Sequence, residues 1–141
     1  MRAFLDTNVL VYAHDTDASD KRAIALELTR SLWDARAGAL STQVLQEFYV
    51  NMTAKIPARV STRAARDLVR AYSAWHVVGV DATDILEASE LQDRLRLSFW
   101  DALIVTAALK ANADVLFTED LHSKTRIRGL EVRNPFATPV G

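Results

Sequence analysis

Short apolar segments alternate with longer helical patterns along the chain, and this alternation constrains the fold more than any other feature of the sequence. Residues 2–5 and 115–118 have the length and composition of buried strands. Between such segments, apolar residues recur every three or four positions, which is the period of a helix. Strands separated by helices pair in parallel and are joined by right-handed crossovers. The alternation therefore predicts an α/β fold, a three-layer sandwich with a doubly wound sheet.

Turn and capping residues divide the chain into these elements. Strands are predicted at residues 2–5, 39–41, 77–80, 115–118 and 130–132. Helices are predicted at residues 8–14, 42–55, 84–95 and 99–111, and two more begin at Asp20 and Ser61. The predicted helix caps are Thr7, Asp20, Ser61 and Ser98. No linker or internal repeat interrupts this order, so we expect one domain over residues 1–141.

The composition excludes several classes of protein. The absence of cysteine excludes a disulfide scaffold, a zinc–thiolate site, an iron–sulfur cluster and a cysteine nucleophile. Seventeen basic against eighteen acidic residues give a net charge of −1, so nucleic-acid binding would require a local basic patch. Asp6 interrupts the only apolar stretch that resembles an export signal, and no uncharged run reaches the roughly 18 residues of a membrane span. We expect a soluble cytoplasmic protein with no membrane association.

Four carboxylates stand where this fold would gather them. Asp6 directly follows the first strand, and Asp120 lies just beyond the fourth. Asp101 lies in the first turn of the helix that leads into the fourth strand, and Glu47 in the second turn of the helix after the second strand. In a doubly wound sheet, the carboxyl ends of parallel strands form the edge at which ligands bind. We therefore expect an acidic site at that edge.

Apolar neighbours make these carboxylates chemically unusual. Phe4 and Leu5 precede Asp6, and an ionised carboxylate in such surroundings requires compensation. Several carboxylates together also repel one another. No Lys or Arg is directly beside Asp6, Glu47 or Asp101 in the sequence, so a hard cation such as Mg²⁺ is the natural compensator. Such a cation can polarise a phosphoryl group and lower the pKa of a bound water, which predicts phosphodiester hydrolysis.

Each acid also has a structural interpretation. Asp101 could complete a capping box with Ser98, and Asp6 could cap the helix that follows it. Glu47 alone would be an ordinary exposed helical acid. Asp120 alone would be a turn residue, and Glu119 beside it could serve as the ligand instead. The combination of acids is more informative than any one of them.

Four segments resemble the sequence motifs of PIN-domain nucleases, in the family's order. They are residues 4–13 (FLDTNVLVYA), 44–49 (VLQEFY), 99–104 (FWDALI) and 116–121 (LFTEDL). Together they extend over nearly the whole chain. The chain is similar in particular to the VapC-type toxins of type II toxin–antitoxin systems.

This resemblance implies a PIN-like α/β/α sandwich with a five-stranded parallel sheet in the order 3-2-1-4-5, which places the first and fourth strands side by side. It implies an endoribonuclease dependent on Mg²⁺, with Mn²⁺ as a substitute. The implied catalytic acids are Asp6, Glu47, Asp101 and Asp120. Asp6 and Asp101 are the implied metal ligands, Glu47 and Asp120 are further candidates, and Asn8 and Thr118 are supporting residues. The implied partners are an RNA substrate, a cognate antitoxin and a second copy of the chain.

Two basic segments could bind an RNA backbone. Lys124, Arg126 and Arg128 follow Asp120 closely in the sequence. Arg63, Arg66 and Arg70 recur at helical spacing, opposite a predicted apolar face formed by Ala64, Leu68, Ala71, Tyr72 and Trp75. A mobile surface loop and a solvated helix face are the corresponding structural interpretations.

Two other functions are open on sequence grounds. A receiver-like phospho-accepting signalling module is also a small doubly wound domain with acids at strand ends, but it has paired acids after its first strand and a Lys after its fifth. Here Thr7 follows Asp6, and no Lys follows residues 130–132. A non-catalytic PIN-like domain that binds RNA or protein is the second alternative, and the four acids argue against it.

Overall fold

A computed structural model describes residues 1–121 and 125–137 of the 141-residue chain. Lys124, one of the predicted RNA contacts, lies outside these ranges. The strands are β1 (Ala3–Leu5), β2 (Gly38–Ser41), β3 (His76–Val78), β4 (Val115–Phe117), β5 (Arg126–Ile127) and β6 (Leu130–Arg133). The helices are α1 (Thr7–His14), α2 (Asp20–Ala35), α3 (Thr42–Val50), α4 (Thr62–Tyr72), α5 (Ala82–Leu95) and α6 (Phe99–Lys110). A π-helical turn, Asn51–Lys55, extends α3.

The sheet has the strand order β3-β2-β1-β4-β6-β5. All neighbouring pairs are parallel except β5 and β6. The predicted order 3-2-1-4-5 is therefore confirmed, with β6 as the predicted fifth strand. The prediction of five parallel strands missed β5, which has two residues and joins β6 through Arg128 and Gly129, both at positive φ (49° and 82°). A strand this short leaves no period-2 pattern in the sequence.

Helices cover the central strands from both sides. Every residue of β1, β2 and β4 is buried, although successive side chains of a strand point to opposite faces. Residues 102–108 of α6 are also buried throughout, as expected of a helix inside the core. Among the helices of the described ranges, none has the length and apolar character that a bilayer crossing requires.

The helix starts explain which side chains are restrained at the sheet edge. Ser61 and Ser98 cap α4 and α6 as predicted, by accepting hydrogen bonds from the backbone N–H groups of Ala64 and Asp101. The predictions of Thr7 and Asp20 as caps are wrong. Asp6 caps α1, because its carboxylate reaches the Thr7 N–H, and Asp20 is already the first residue of α2.

Candidate active site

Asp6 leaves β1 at the carboxyl edge of the sheet and is held there by three hydrogen bonds. Its backbone N–H donates to the Phe117 carbonyl over 3.0 Å. Its Oδ1 accepts from the Thr7 N–H over 2.7 Å, and its Oδ2 accepts from the Thr118 hydroxyl over 2.8 Å. The residue is only 8% exposed. Asp6 is therefore both the cap of α1 and a fixed carboxylate at the edge shared by β1 and β4.

Burial makes the charge of Asp6 costly. Removal from water raises the pKa of Asp6 from 3.8 to about 6, although the hydrogen bonds from Thr118 and Thr7 lower it. The negative charges of Asp120 and Asp101 also contribute to this rise in the pKa of Asp6. Within the described parts of the chain, no Lys or Arg forms an ion pair with Asp6. The result is an excess of negative charge around a buried carboxylate.

The two predicted supporting residues connect Asp6 with Asp120. The buried Thr118 hydroxyl donates to Asp6 and accepts from the Asp120 N–H over 3.1 Å, which fixes the turn after β4. The Asn8 amide donates to Oδ2 of Asp120 over 3.3 Å. Adjacent pairing of β1 with β4 is what brings these residues together across 112 positions of sequence.

Asp101 lies at the start of α6. Its backbone N–H donates to the Ser98 hydroxyl over 3.1 Å, so the capping interpretation holds for its backbone. Its half-buried side chain forms no ion pair with any residue that the structure describes. The negative charge of Asp101 acts on the site, since it contributes to the raised pKa of Asp6.

Glu47 lies apart from this hydrogen-bonded group. It is half-buried on α3, and its Oε1 accepts from the Gln43 amide over 2.7 Å. Its side chain lines a depression of about 240 Å³ together with Asn51 and Lys55. None of the other three acids lines that depression. The structure therefore brings together Asp6, Asp101 and Asp120 more closely than it brings Glu47 to them.

Glu119 is engaged on another side of the turn after β4. Its Oε1 accepts from the Tyr12 hydroxyl over 2.5 Å, and its Oε2 accepts from the Lys21 ammonium over 2.8 Å. The ring of Tyr12 meets the ring of Phe136 edge-on, with centroids 5.3 Å apart, and Lys21 lies above both rings. These contacts favour Asp120 over Glu119 as the fourth acid. Sequence reasoning missed Tyr12 and Lys21, because only the β1–β4 pairing brings their helices beside Glu119.

Oxygen donors at the edge suit Mg²⁺ and Mn²⁺. Within residues 1–121 and 125–137, no three His, Cys, Asp or Glu side chains converge closely enough to enclose a metal ion. Mg²⁺ does not need such a cage, because it keeps several waters and is usually held by one or two carboxylates and substrate phosphates. A restrained carboxylate at Asp6, which has further carboxylates nearby and no ion pair with a Lys or Arg of the described ranges, fits that requirement.

The predicted basic segments lie elsewhere. The β5–β6 turn that holds Arg128 lies beside the beginning of β4, since Val115 pairs with Glu131 and Arg126 lies opposite Glu131. Arg126 and Arg128 are therefore at the amino end of the sheet, not beside the acids. Closeness in sequence to Asp120 does not bring them beside the acids, because the register of β5 and β6 places this turn at the beginning of β4.

Arg63, Arg66 and Arg70 are exposed on α4, which packs against α3. Arg70 pairs with Asp67 over 2.9 Å, and Arg66 lines an apolar groove with Tyr49 and Val69. The predicted apolar face of α4 is confirmed at Tyr72 and wrong at Ala64 and Ala71. Ala65 and Tyr72 are buried, whereas Ala64 and Ala71 are exposed, because α4 packs through the row that contains Ala65, Leu68 and Tyr72.

Comparisons with known proteins agree with this fold. The family model of the PIN domain matches residues 3–126. A toxin–antitoxin complex from Klebsiella pneumoniae is similar in structure, with 20% identity, a TM-score of 0.70 and coverage of 96% of this chain and 99% of that one. VapBC2 from Rickettsia felis, bound to a DNA fragment from its promoter, gives 24% identity, a TM-score of 0.68 and coverage of 95% and 98%.

A third solved structure is the sarcin–ricin loop cleaving toxin VapC20 of Mycobacterium tuberculosis. It gives 21% identity, a TM-score of 0.62 and coverage of 86% of this chain and 93% of that one. At these identities the three structures are evidence of a shared fold. No curated protein sequence matches the chain.

Proposed function

The chain belongs to the PIN domain family, and from that membership we propose that it is a metal-dependent endoribonuclease, the toxin of a VapC-type toxin–antitoxin pair. The observation that carries the proposal is the buried carboxylate of Asp6, fixed by Thr7 and Thr118 and surrounded by further negative charge. The proposed substrate is a structured RNA, and the proposed location is the cytoplasm, where such RNA resides. Residues 1–141 are proposed to act as one domain.

In this proposal Asp6 and Asp101 hold Mg²⁺, or Mn²⁺ in its place, and Asp120 and Glu47 are further candidate ligands. The bound cation would polarise the scissile phosphoryl group and make a water molecule more acidic. Thr118 and the N–H of Thr7 keep both oxygens of Asp6 in fixed directions, so that the carboxylate does not reorient during the reaction. The Asn8 amide restrains the Asp120 carboxylate through one hydrogen bond, to its Oδ2.

RNA backbone contacts are proposed for the arginines of α4, which are Arg63, Arg66 and Arg70. Their helix packs against α3, which carries Glu47. An RNA strand that reaches the acids from that side would therefore pass over these arginines. Arg126 and Arg128 are proposed as more distant contacts, and Lys124 stays a candidate contact outside the described residues. In the structure, Arg126 and Arg128 lie at the other end of the sheet, where only an extended substrate would reach them.

Control by an antitoxin follows from the same acidic edge. A guanidinium pairs with carboxylates in two parallel hydrogen bonds and needs no metal, so an arginine from a partner protein could occupy the site and compete with Mg²⁺. The Klebsiella structure is a toxin–antitoxin complex, which supports a partner of that kind. Replacing every basic residue of the inhibitory antitoxin segment should restore RNA cleavage; continued inhibition would indicate steric cover instead. A homodimer is proposed from the family likeness.

RNA cleavage by the purified protein, free of antitoxin, tests the proposal. A labelled structured RNA should be cut internally in Mg²⁺ and left intact in excess EDTA. Asp101→Asn should lower the cleavage rate at least about 100-fold, since loss of residues that merely orient a metal ligand already costs 10- to 100-fold. The matched control is Asp93→Asn, which changes an exposed acid of α5 and should cleave normally.

Undiminished cleavage in excess chelator would contradict metal dependence. RNA binding without cleavage, under all metal conditions, would instead support the non-catalytic PIN-like alternative. Labelling by acetyl phosphate without RNA cleavage would support the receiver-like one.

A further inference from the structure

A cavity to which the function above assigns no role lies at the amino end of the sheet. Its volume is about 570 Å³, within the usual range for small-molecule sites. Residues at the beginning of three neighbouring strands contribute to its wall: Arg2 before β1, Gly38 in β2 and His76 in β3. Because Arg2 and Asp6 are four residues apart along β1, about 13 Å separates this cavity from the acidic edge.

The cavity is lined by two guanidinium groups and an imidazole. Its lining includes Arg2, Arg36 and His76, and no acidic side chain of the described residues lines it. One guanidinium N–H of Arg2 donates to the Ala111 carbonyl over 2.7 Å, which holds this side chain in place and leaves its other donors available. Arg36 is exposed and ends α2 in the left-handed conformation, with φ of 53°. None of the ion pairs within the described ranges involves these three residues.

Two tryptophans form the aromatic part of the wall. Trp75 lies directly over Gly38, where a Cβ atom would come within 2.2 Å of the indole ring. Trp33 meets Trp75 edge-on at 5.6 Å and is itself 41% exposed, so part of its ring faces solvent. The buried Nε1–H of Trp75 has no hydrogen-bond partner among the described residues, which is uncommon for a buried donor.

We propose that this amino-end pocket binds a nucleotide, with its phosphate between Arg2 and Arg36 and its base against Trp33. Guanidinium groups recognise phosphate oxygens through paired charge-assisted hydrogen bonds. Exposed aromatic rings stack on bases of any sequence. The ligand is either a free mononucleotide or one nucleotide of an RNA strand, since both present the same chemistry. The site stands apart from the acidic edge and does not depend on the cleavage proposed there.

Tryptophan fluorescence can test the pocket directly. The chain has three tryptophans, and Trp100 is 64% exposed and does not line the pocket, so Trp100→Phe leaves a signal from Trp33 and Trp75 alone. In this variant, AMP in the presence of EDTA should quench fluorescence saturably, with a Kd of about 1 mM or lower. EDTA excludes binding through a metal at the acidic edge.

Arg36→Asn should weaken AMP binding at least about tenfold, because a charge-assisted hydrogen bond to phosphate is lost. Asparagine tolerates the left-handed backbone, so this variant should fold normally, which circular dichroism would verify. Arg94→Ala is the matched control, since it removes an exposed arginine of α5 outside the pocket. Its AMP affinity should equal that of the parent protein.

Two further ligands determine the source of the nucleotide. A short single-stranded oligoribonucleotide that binds more tightly than AMP, and is also weakened by Arg36→Asn, would identify an RNA strand. AMP that binds more tightly than the oligonucleotide would identify a free nucleotide. Three results would overturn the proposal: no saturable quenching by either ligand, equal affinity of folded Arg36→Asn and its parent, or inorganic phosphate that binds as tightly as AMP.

Discussion

The two ends of the central sheet carry opposite chemistry built by different means. At the carboxyl end, Asp6 is buried, fixed by hydrogen bonds from Thr7 and Thr118, and surrounded by negative charge. At the amino end, Arg2 and Arg36 stand beside an aromatic wall. The net charge of −1 conceals this separation, because acids and bases are nearly equal in number. A balanced composition therefore says little about local binding surfaces, which depend on the edge at which each residue leaves the sheet.

Among substitutions at the two ends of the sheet, the largest effect is expected at Asp6. Asp6→Asn should lower RNA cleavage at least about 100-fold, because the neutral amide cannot hold a hard cation. The same change should stabilise the metal-free protein. Since burial raises the pKa of Asp6 from 3.8 to about 6, its ionisation opposes folding at neutral pH by up to about 3 kcal/mol. The amide can still accept from Thr7 and donate to the Thr118 hydroxyl.

Cleavage rates and thermal unfolding in EDTA at neutral pH measure both effects. The melting temperature of Asp6→Asn should exceed that of the parent, and the difference should vanish below pH 3.8, where the carboxyl is protonated in both folded and unfolded chains. A variant that cleaves RNA normally would remove Asp6 from the active site. A variant less stable than its parent at neutral pH would mean that the capping role outweighs the cost of the buried charge.

A smaller effect separates two adjacent acids at the same edge. Asp120→Asn should lower cleavage at least about tenfold, because Thr118 and Asn8 orient this residue toward Asp6. Glu119→Gln should change cleavage less than about twofold, since its contacts are to Tyr12 and Lys21. Loss of the ion pair with the half-exposed Lys21 should cost no more than about 1 kcal/mol of stability. The opposite ranking of the two variants would make Glu119 the ligand.

The meeting of Asp6 and Asp120 at the carboxyl end could be predicted from the sequence because its signals are local. Asp6 directly follows an apolar strand and Asp120 lies just beyond another, and the fold class alone places such residues at one edge. The amino-end pocket had no such signal. Its residues converge only through the register in which Ala3 pairs with Gly38 and Ala39 with His76. For the same reason, closeness in sequence suggested that Arg128 adjoins the acids, whereas the register of β5 and β6 beside β4 places it at the opposite end.

Gly38 offers a test confined to the amino end, with Gly79, just beyond the carboxyl end of β3, as its control. Gly38→Ala would place a Cβ 2.2 to 2.5 Å from ring atoms of Trp75, so the indole must move, and overpacking of this kind costs about 1–3 kcal/mol. A Cβ at Gly79 meets nothing within 4 Å, so Gly79→Ala should stay within about 0.5 kcal/mol. Urea unfolding measures both. AMP binding should fall in Gly38→Ala while RNA cleavage persists. Equal stability of the two variants would mean that the position of Trp75 over Gly38 does not contribute to stability.

The smallest expected effect concerns α1, the helix that joins the two chemistries. It begins beside Asp6 and ends at His14, whose Nε2 lies 2.6 Å from the Tyr72 hydroxyl. The ring of Tyr72 in turn contacts Trp33 and Trp75. Burial lowers the pKa of His14 below 6.5, and the positive charge of Arg22 lowers it further. Each end of α1 therefore carries a buried titratable group whose charged form is disfavoured.

These two groups give stability an opposite dependence on pH. The neutral form of His14 contributes stability that is fully present above pH 6.5 and is lost as pH falls through its lowered folded pKa. Asp6 does the reverse, because the folded protein becomes less stable as pH rises from 3.8 to about 6. In the Asp6→Asn background, the melting temperature should therefore fall as pH is lowered from about 8 to about 5, the range in which histidines titrate. Adding His14→Phe should flatten that decline, since phenylalanine retains ring packing against Phe48 and Tyr72 but carries no proton. An equally steep decline in the double variant would mean that a group other than His14 causes the pH dependence of the melting temperature.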